Sequence, residues 1–348
     1  MTKSFAKKLH VVILAGGSGT RFWPKSTSRK PKQFLDFYSS NGPLLKQTVD
    51  RFAGIQTQFW VVTTKALEDL TRKTLGDRAR ILAEPMGRNT APCIFWAAQV
   101  IAKEDPEAVM AVMPSDHLLG DIAAFKRTFA SAVEHAALGE DLVALGVHPA
   151  HPETGYGYLK KGTDHGGGCF KVEQFVEKPD LARAKKFVES GEYLWNGGMF
   201  VWRVDTVLQA FQKLLPAYAK AWSESGGDVE KAYPKMEATS IDFGVMEKAS
   251  NVVTFNLDCG WNDLGSWTSM EHLVGSSKSG NFVCAGQVSA LDSSGNIVDV
   301  GSKRVALLGV KDLVIVEADG VLMIADKGRA QDIKKLVELV RGERPDLV

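Results

Sequence analysis

Five short apolar runs, His10–Leu14, Phe59–Thr63, Arg80–Ala83, Val109–Val112 and Leu142–Val147, constrain this chain more than any other feature. Amphipathic stretches of helical length lie between them: Leu44–Phe52, Ala66–Leu75, Ala91–Lys103 and Ala123–Ala137. Strands alternating with helices predict βαβ units around a mainly parallel sheet, an α/β fold. Sheets of this kind take ligands beyond the carboxyl ends of their strands. Gly17, Glu84 and Pro114 each come just after a predicted strand, so these three motifs are expected at one crevice.

The first strand empties into Leu14-Ala15-Gly16-Gly17-Ser18-Gly19-Thr20-Arg21-Phe22-Trp23-Pro24-Lys25. Glycines let backbone approach a ligand closely, and a guanidinium and an ammonium in the same loop suit phosphate. Two common phosphate loops are excluded. No G-x-x-x-x-G-K-[ST] spacing occurs, and the dinucleotide pattern begun at Gly17-Ser18-Gly19 meets Phe22 where its third glycine belongs. Pro24 and Pro31 push the residues before them towards extended backbone, so the loop is expected to stay open and wrap a polyphosphate.

With 348 residues, 45% hydrophobic and 24% charged, the chain has room for a large core and a smaller module. Its formal net charge of +1 gives no reason to expect nucleic acid or an anionic membrane as partner. An anionic substrate must be met by local cations and a metal. The four cysteines, Cys93, Cys169, Cys259 and Cys284, are scattered and read as buried free thiols. No run reaches the roughly 18 apolar residues of a membrane span, and the N-terminal run is too short for a signal peptide. A cytoplasmic protein is expected.

From Gly155 to about Leu273 the pattern changes to shorter strands, aromatic turns and one long helix from Val204 to about Trp222. Beyond Ser276-Ser277-Lys278-Ser279-Gly280, short β runs (Phe282–Ala285, Val288–Leu291, Val305–Leu308, Leu313–Val316, Val321–Ile324) predict a small β unit. A helix at about Arg329–Val340 closes it.

The string GGSGTRFWPKSTSRKPKQFL resembles the N-terminal motif of the sugar-1-phosphate nucleotidyltransferases. Its Phe-Trp-Pro and Pro-Lys-Gln-Phe-Leu variants look like the mannose-1-phosphate guanylyltransferase branch, and similar blocks continue as far as Ala330. The resemblance implies a Rossmann-like (GT-A-like) mainly parallel catalytic sheet over residues 1–275, with a sugar-binding insertion at about 155–273. It also implies a β-helix-like module with its terminal helix at 281–348, a module often used in dimerisation, and hence a homodimer. The end of the chain at Val348 is expected to leave no room for the isomerase domain of longer members.

The same resemblance implies roles, each beside a plainer one. Gly16, Gly17, Ser18, Gly19 and Thr20 would hold the nucleotide, and Arg21 and Lys25 would act on its leaving phosphates. In Glu84-Pro85-Met86-Gly87-Arg88-Asn89-Thr90, Glu84, Arg88 and Asn89 would build a guanine pocket, although Asn89 or Thr90 could equally cap the next helix. Pro114 and Ser115 would also bind the nucleotide, and Asp116 with Asp263 would hold Mg²⁺, which favours a few carboxylates plus phosphate and water. A strand-end turn for Asp116 and the N-cap of a Ser266–Leu273 helix for Asp263 are the alternatives. Gly157, Glu177, Lys178, Asn196 and Gly198 would bind the sugar phosphate, while Glu177-Lys178 also reads as a surface ion pair. The block Ser240–Lys248 also matches and is expected to pack against the sugar site.

The implied reaction is transfer of GMP from GTP to α-D-mannose 1-phosphate. Another sugar 1-phosphate or NTP, or a non-catalytic homologue that binds GDP-mannose, stays open. An Asp-x-Asp motif, common in glycosyltransferases, is absent.

Overall fold

The computed structural model describes residues 5, 7–17, 19–37 and 41–348, so Ser18 lies outside the described residues. They fall into two compact units. One comprises residues up to Gly16, Thr48–Ser115 and Leu119–Trp261; the other comprises Gly17–Gln47, Asp116–Leu118 and Asn262–Val348. Compactness thus groups the glycine loop with the C-terminal module.

The first unit is built on a nine-stranded sheet. Strands β1 (Leu9–Leu14), β2 (Gln58–Thr64), β3 (Arg80–Glu84) and β4 (Val109–Pro114) run parallel in the order β3-β2-β1-β4. The apolar runs are continuous because both faces are covered: Val11, Val12 and Ile13 are fully buried. In register, Leu14 lies beside Val62 and Pro114, and Thr64 beside Glu84. The carboxyl ends of these strands therefore share one edge, which brings Gly16, Glu84 and Ser115 to the same side.

The two-residue strand β5 (Leu118–Leu119) follows in the chain, then β6 (Leu142–Val147), β7 (Gly157–Gly166), β8 (Cys169–Glu177), β9 (Tyr193–Arg203) and β10 (Val252–Asn256). The segment expected as an insertion of shorter strands supplies strands of 9 to 11 residues. One of them, β9, pairs antiparallel with both β4 and β6 in the middle of the sheet.

Helices α1 (Leu44–Asp50), α2 (Glu68–Leu75), α3 (Thr90–Ala102) and α4 (Ile122–Leu138) fall near the four amphipathic segments, and α5 (Leu181–Ser190) was not among them. Asp121 and Asp180 cap α4 and α5, accepting from Ala124 N and Arg183 N at 2.8 Å each. The long helix expected from Val204 is two, α6 (Val204–Leu214) and α7 (Pro216–Glu224). Pro216 has no N–H to continue the ladder and suits a first helical position instead. A single helical turn, Val229–Ala232, comes after α7.

In the second unit, β12 (Phe282–Leu291), β13 (Ile297–Leu308), β14 (Leu313–Ala318) and β15 (Val321–Asp326) form a four-stranded sheet after the two-residue strand β11 (Trp261–Asn262). The first three are parallel, and β15 returns antiparallel. The expected fragments Phe282–Ala285 and Val288–Leu291 are one strand, with register shifts around Gly286. The buried amides Asn281 and Asn296 tie successive turns: Asn296 Nδ2 donates to Asn281 Oδ1 at 2.8 Å and to Val310 O at 3.1 Å. In place of a Ser266–Leu273 helix there is a single 3₁₀ turn, Trp267–Ser269, and a short α8 (Met270–Val274). Ser266, not Asp263, occupies the cap position. The terminal helix α9 (Ile333–Glu343) buries Ile333 and Val337 in one core with Phe22, Trp23, Trp267 and Val314.

Candidate active site

Gly19 fixes the shape of the loop. Its φ is +58°, and a Cβ there would strike Lys32 Cβ and come within 3.0 Å of Lys32 N. Only glycine allows that approach. Gln33 closes the loop further, its Nε2 donating to Gly17 O at 3.1 Å. In keeping with its prolines, the loop carries only 3₁₀ turns among its described residues, Thr20–Phe22 and Lys32–Phe34.

This packing places Lys32 between the two acids named from sequence. Its ammonium, 6% exposed, lies 2.9 Å from Asp116 Oδ2 and donates to Asp263 O at 2.5 Å. The two acids named from sequence thus meet on one lysine that the sequence did not single out. Burial alone would raise the Asp116 carboxyl, yet Lys32 and His117 outweigh it and hold the group below its usual range. A cavity of about 340 Å³ opens here, lined by Thr20, Arg21, Lys32, Asp116, Asp263 and Lys334 among others.

Lys25 is placed elsewhere. Its ammonium lies 2.5 Å from Asp299 Oδ2 on β13, and the Asp299 side chain is fully buried. Burial pushes the Asp299 carboxyl up, against the pull of Lys25.

In the first unit, Glu84 is buried at the end of β3, and Tyr233 Oη donates to its Oε1. Burial raises the Glu84 carboxyl above its usual range, against that hydrogen bond. A Cβ on Gly16 would come within 3.2 Å of Glu84 Oε2. Arg88 Nη1 donates to Met236 O at 2.8 Å. Asn89, at φ +66°, precedes α3 and accepts from Thr90 N at 2.9 Å, so the capping alternative is realised. Ser115 N continues the ladder to Leu14 O at 3.2 Å, beside Pro114.

A second cluster of the same unit gathers Gly157, Glu177, Lys178, Asn196 and Gly198. Glu177 ends β8, with its side chain 7% exposed; Oε1 accepts from Lys178 Nζ, and Oε2 is buried without a hydrogen-bond partner among the described residues. A Cβ on Gly157 would stand 2.5 Å from that Oε2, so any larger residue there would push the Glu177 carboxylate aside. Asn196 Oδ1 accepts from Gly198 N at 3.1 Å, and its Nδ2 donates to Asp242 Oδ1 at 2.8 Å. Glu247 Oε1 accepts from Glu177 N at 2.8 Å. The block Ser240–Lys248 therefore supplies two acids to this cluster. Burial and then the neighbouring Asp242 raise the Glu177 carboxyl, and burial raises Asp242 itself.

Residues 10–276 match the family model described as Nucleotidyl transferase. The chain belongs to the nucleotidyl transferase family. It is an enzyme of that class, and residues 286–339 match the model of a MannoseP isomerase/GMP-like beta-helix domain. The Escherichia coli K12 protein named mannose-1-phosphate guanylyltransferase is 37% identical over 97% of this chain and 74% of its own length. The alginate biosynthesis protein AlgA of Pseudomonas aeruginosa is 38% identical over 94% of this chain and 71% of its own. A Thermus thermophilus structure, described as a mannose-1-phosphate geranyltransferase, superposes with a TM-score of 0.86 at 31% identity, covering 96% of this chain and 99% of that one.

Within this nucleotidyl transferase, no described group of three or more His, Cys, Asp or Glu side chains gathers to hold a metal alone. Two carboxylates in one cavity do fit a hard divalent ion that takes its other oxygens from phosphate and water. No helix among the described residues is long and apolar enough to cross a membrane. Sequence reasoning gave Lys32 no role of its own and named Asp242 only within a block expected to pack against the sugar site. Lys32 lay in the motif itself, but only its approach to Gly19 reveals where it points.

Proposed function

We propose that this nucleotidyl transferase moves GMP from GTP to α-D-mannose 1-phosphate and releases pyrophosphate. The cavity at Arg21, Lys32, Asp116 and Asp263 carries this reading, because it joins cations for a polyphosphate to carboxylates for a divalent ion. The name of the Escherichia coli relative, identical at 37% of positions over 97% of this chain, supplies the two substrates.

A phosphate oxygen of the sugar phosphate attacks the α-phosphorus of GTP in line. A new P–O bond forms while the bond to the bridging α–β oxygen breaks, and pyrophosphate leaves with that electron pair. The nucleophile is already ionised at neutral pH, so no general base is required. Catalysis rests on positioning and on charge stabilisation. Asp116 and Asp263 would hold Mg²⁺, whose chemistry is to neutralise charge on the α-phosphate. Arg21 meets the leaving phosphates, and Lys178 steadies the attacking one. Glu177 and Asn196 accept from and donate to the sugar hydroxyls, with Asp242 holding the Asn196 amide in orientation. Glu84 accepts from adjacent N–H groups, the edge that guanine presents and adenine does not.

The test is pyrophosphate release from each of the four NTPs with mannose 1-phosphate, with and without Mg²⁺. Release from GTP alone, dependent on Mg²⁺, is expected. Equal release from all four NTPs removes the guanine assignment, and no release from any removes the catalytic reading.

A further inference from the structure

The cavity at the glycine loop is completed by a residue more than 300 positions away. Lys334, in the first turn of α9, lines it together with Thr20, Arg21, Lys32, Asp116 and Asp263. The five charged members divide into two sets. Lys32 is committed to Asp116 Oδ2 and Asp263 O. Arg21 and Lys334 have no hydrogen-bond or ion-pair partner among the described residues, and both side chains are exposed to the cavity's solvent. Two unneutralised cations facing one small volume repel each other, and an anion removes that repulsion.

The position of Lys334 is fixed by packing. Ile333 and Val337, one turn apart on α9, are buried with Phe22 and Trp23 beside the 3₁₀ turn that carries Arg21. The segment after α9 is tied to the same loop: Trp23 Nε1 donates to Leu347 O at 2.9 Å, and Ser28 Oγ to Val348 O at 2.6 Å. Helix and loop thus present Lys334 and Arg21 as one preformed pair. At about 340 Å³, the volume lies at the small end of ligand pockets, which run from roughly 300 to 1,000 Å³. It suits a hydrated diphosphate better than a whole nucleotide.

We infer that Lys334 is a substrate-contacting residue that binds the β- and γ-phosphates of the nucleotide, and the pyrophosphate they become, together with Arg21. The C-terminal module then supplies part of the phosphate site itself. This rests on the polyphosphate reading given above, and the experiment separates the two.

Calorimetric titration of the full chain with pyrophosphate and Mg²⁺ is compared with the KM for pyrophosphate in cleavage of GDP-mannose. Lys334→Met keeps the apolar stem and removes the charge. It is expected to weaken pyrophosphate binding and raise that KM about tenfold, the scale of one charge-assisted hydrogen bond. The KM for mannose 1-phosphate in the forward direction stays unchanged, and Lys334→Arg restores binding. Lys335→Met, at a neighbour already paired with Asp332 at 2.7 Å, serves as the control and binds as the parent does. Equal pyrophosphate affinity in the parent and Lys334→Met overturns the inference, as does an equal loss in Lys335→Met or an absence of pyrophosphate binding by the parent. If the parent binds pyrophosphate through Lys334 but does not cleave GDP-mannose, the substrate assignment fails and the role of Lys334 stands.

Discussion

Two carboxylate–lysine pairs, one in each unit, are mirror images in their burial. In Asp116–Lys32 the ammonium is 6% exposed and the acid 34%; in Glu177–Lys178 the acid is 7% exposed and the ammonium 56%. The carboxyl groups shift in opposite directions. Asp116 is held down by a buried cation that solvent barely screens. Glu177 is pushed up by its own burial and by Asp242, and a solvated Lys178 does not compensate. The site of the cation therefore decides which way such a pair leans. A cation-rich cluster suits phosphate; a cluster rich in acids, with one acceptor left buried and unpartnered, suits hydroxyl donors.

Removing the buried cation should have the largest effect. Lys32→Ala is expected to lower kcat about 10²–10³-fold, the scale for losing one preorganised charge-stabilising group. Steady-state kinetics with GTP check this, and an unchanged kcat would break the contrast at its stronger side. Lys178→Ala, which removes the exposed cation, should raise KM for the sugar phosphate about tenfold with a smaller change in kcat. A rise confined to the KM for GTP would place Lys178 on the wrong substrate.

Asp299–Lys25 is the intermediate case, with a lysine 26% exposed and an acid fully buried. Lys25→Ala should cost about 1–3 kcal/mol of stability by leaving that acid without its cation. Urea unfolding measures the loss, and adding Asp299→Asn should recover most of it. A loss of kcat without a loss of stability would instead return Lys25 to the chemistry.

The smallest effect concerns pH. A raised carboxyl such as Asp242 contributes stability that is complete below the ordinary carboxylate range and lost as pH rises through its shifted value. Asp116, shifted down, contributes above the ordinary range and loses it as pH falls through the lowered value. Asp242→Asn keeps an acceptor for Asn196 and should raise Tm at pH 8 but not at pH 4. The reverse order would show that the first unit's acids are not in excess.

Much of the sheet was legible because parallel strands buried on both faces read as unbroken apolar runs; β6 matches its expected limits, Leu142 to Val147. The C-terminal strands were read as fragments because Asp299, Lys303 and Arg304 lie within β13 and interrupt any apolar pattern. The break at Pro216 was visible in the sequence, but the apolar spacing on either side suggested one helix. At the candidate site, residue types announced Asp116, Glu177 and Asn196. The partners of Lys25, Lys32 and Asn196 depend on contacts between distant segments, and no local pattern encodes them. Lys334 is one of two adjacent lysines on an amphipathic helix, and only the cavity distinguishes it.

Trp23 and its acceptor Leu347 are 324 positions apart. During synthesis at roughly 5–20 residues per second, the indole would wait on the order of 15–65 s for that carbonyl to be made. Phe22, Trp23 and Leu35 share their core with Ile333, Val337 and Val348, so that core is complete only when the end of the chain has been made. The glycine loop is thus among the first segments to emerge from the ribosome and among the last to find its structure.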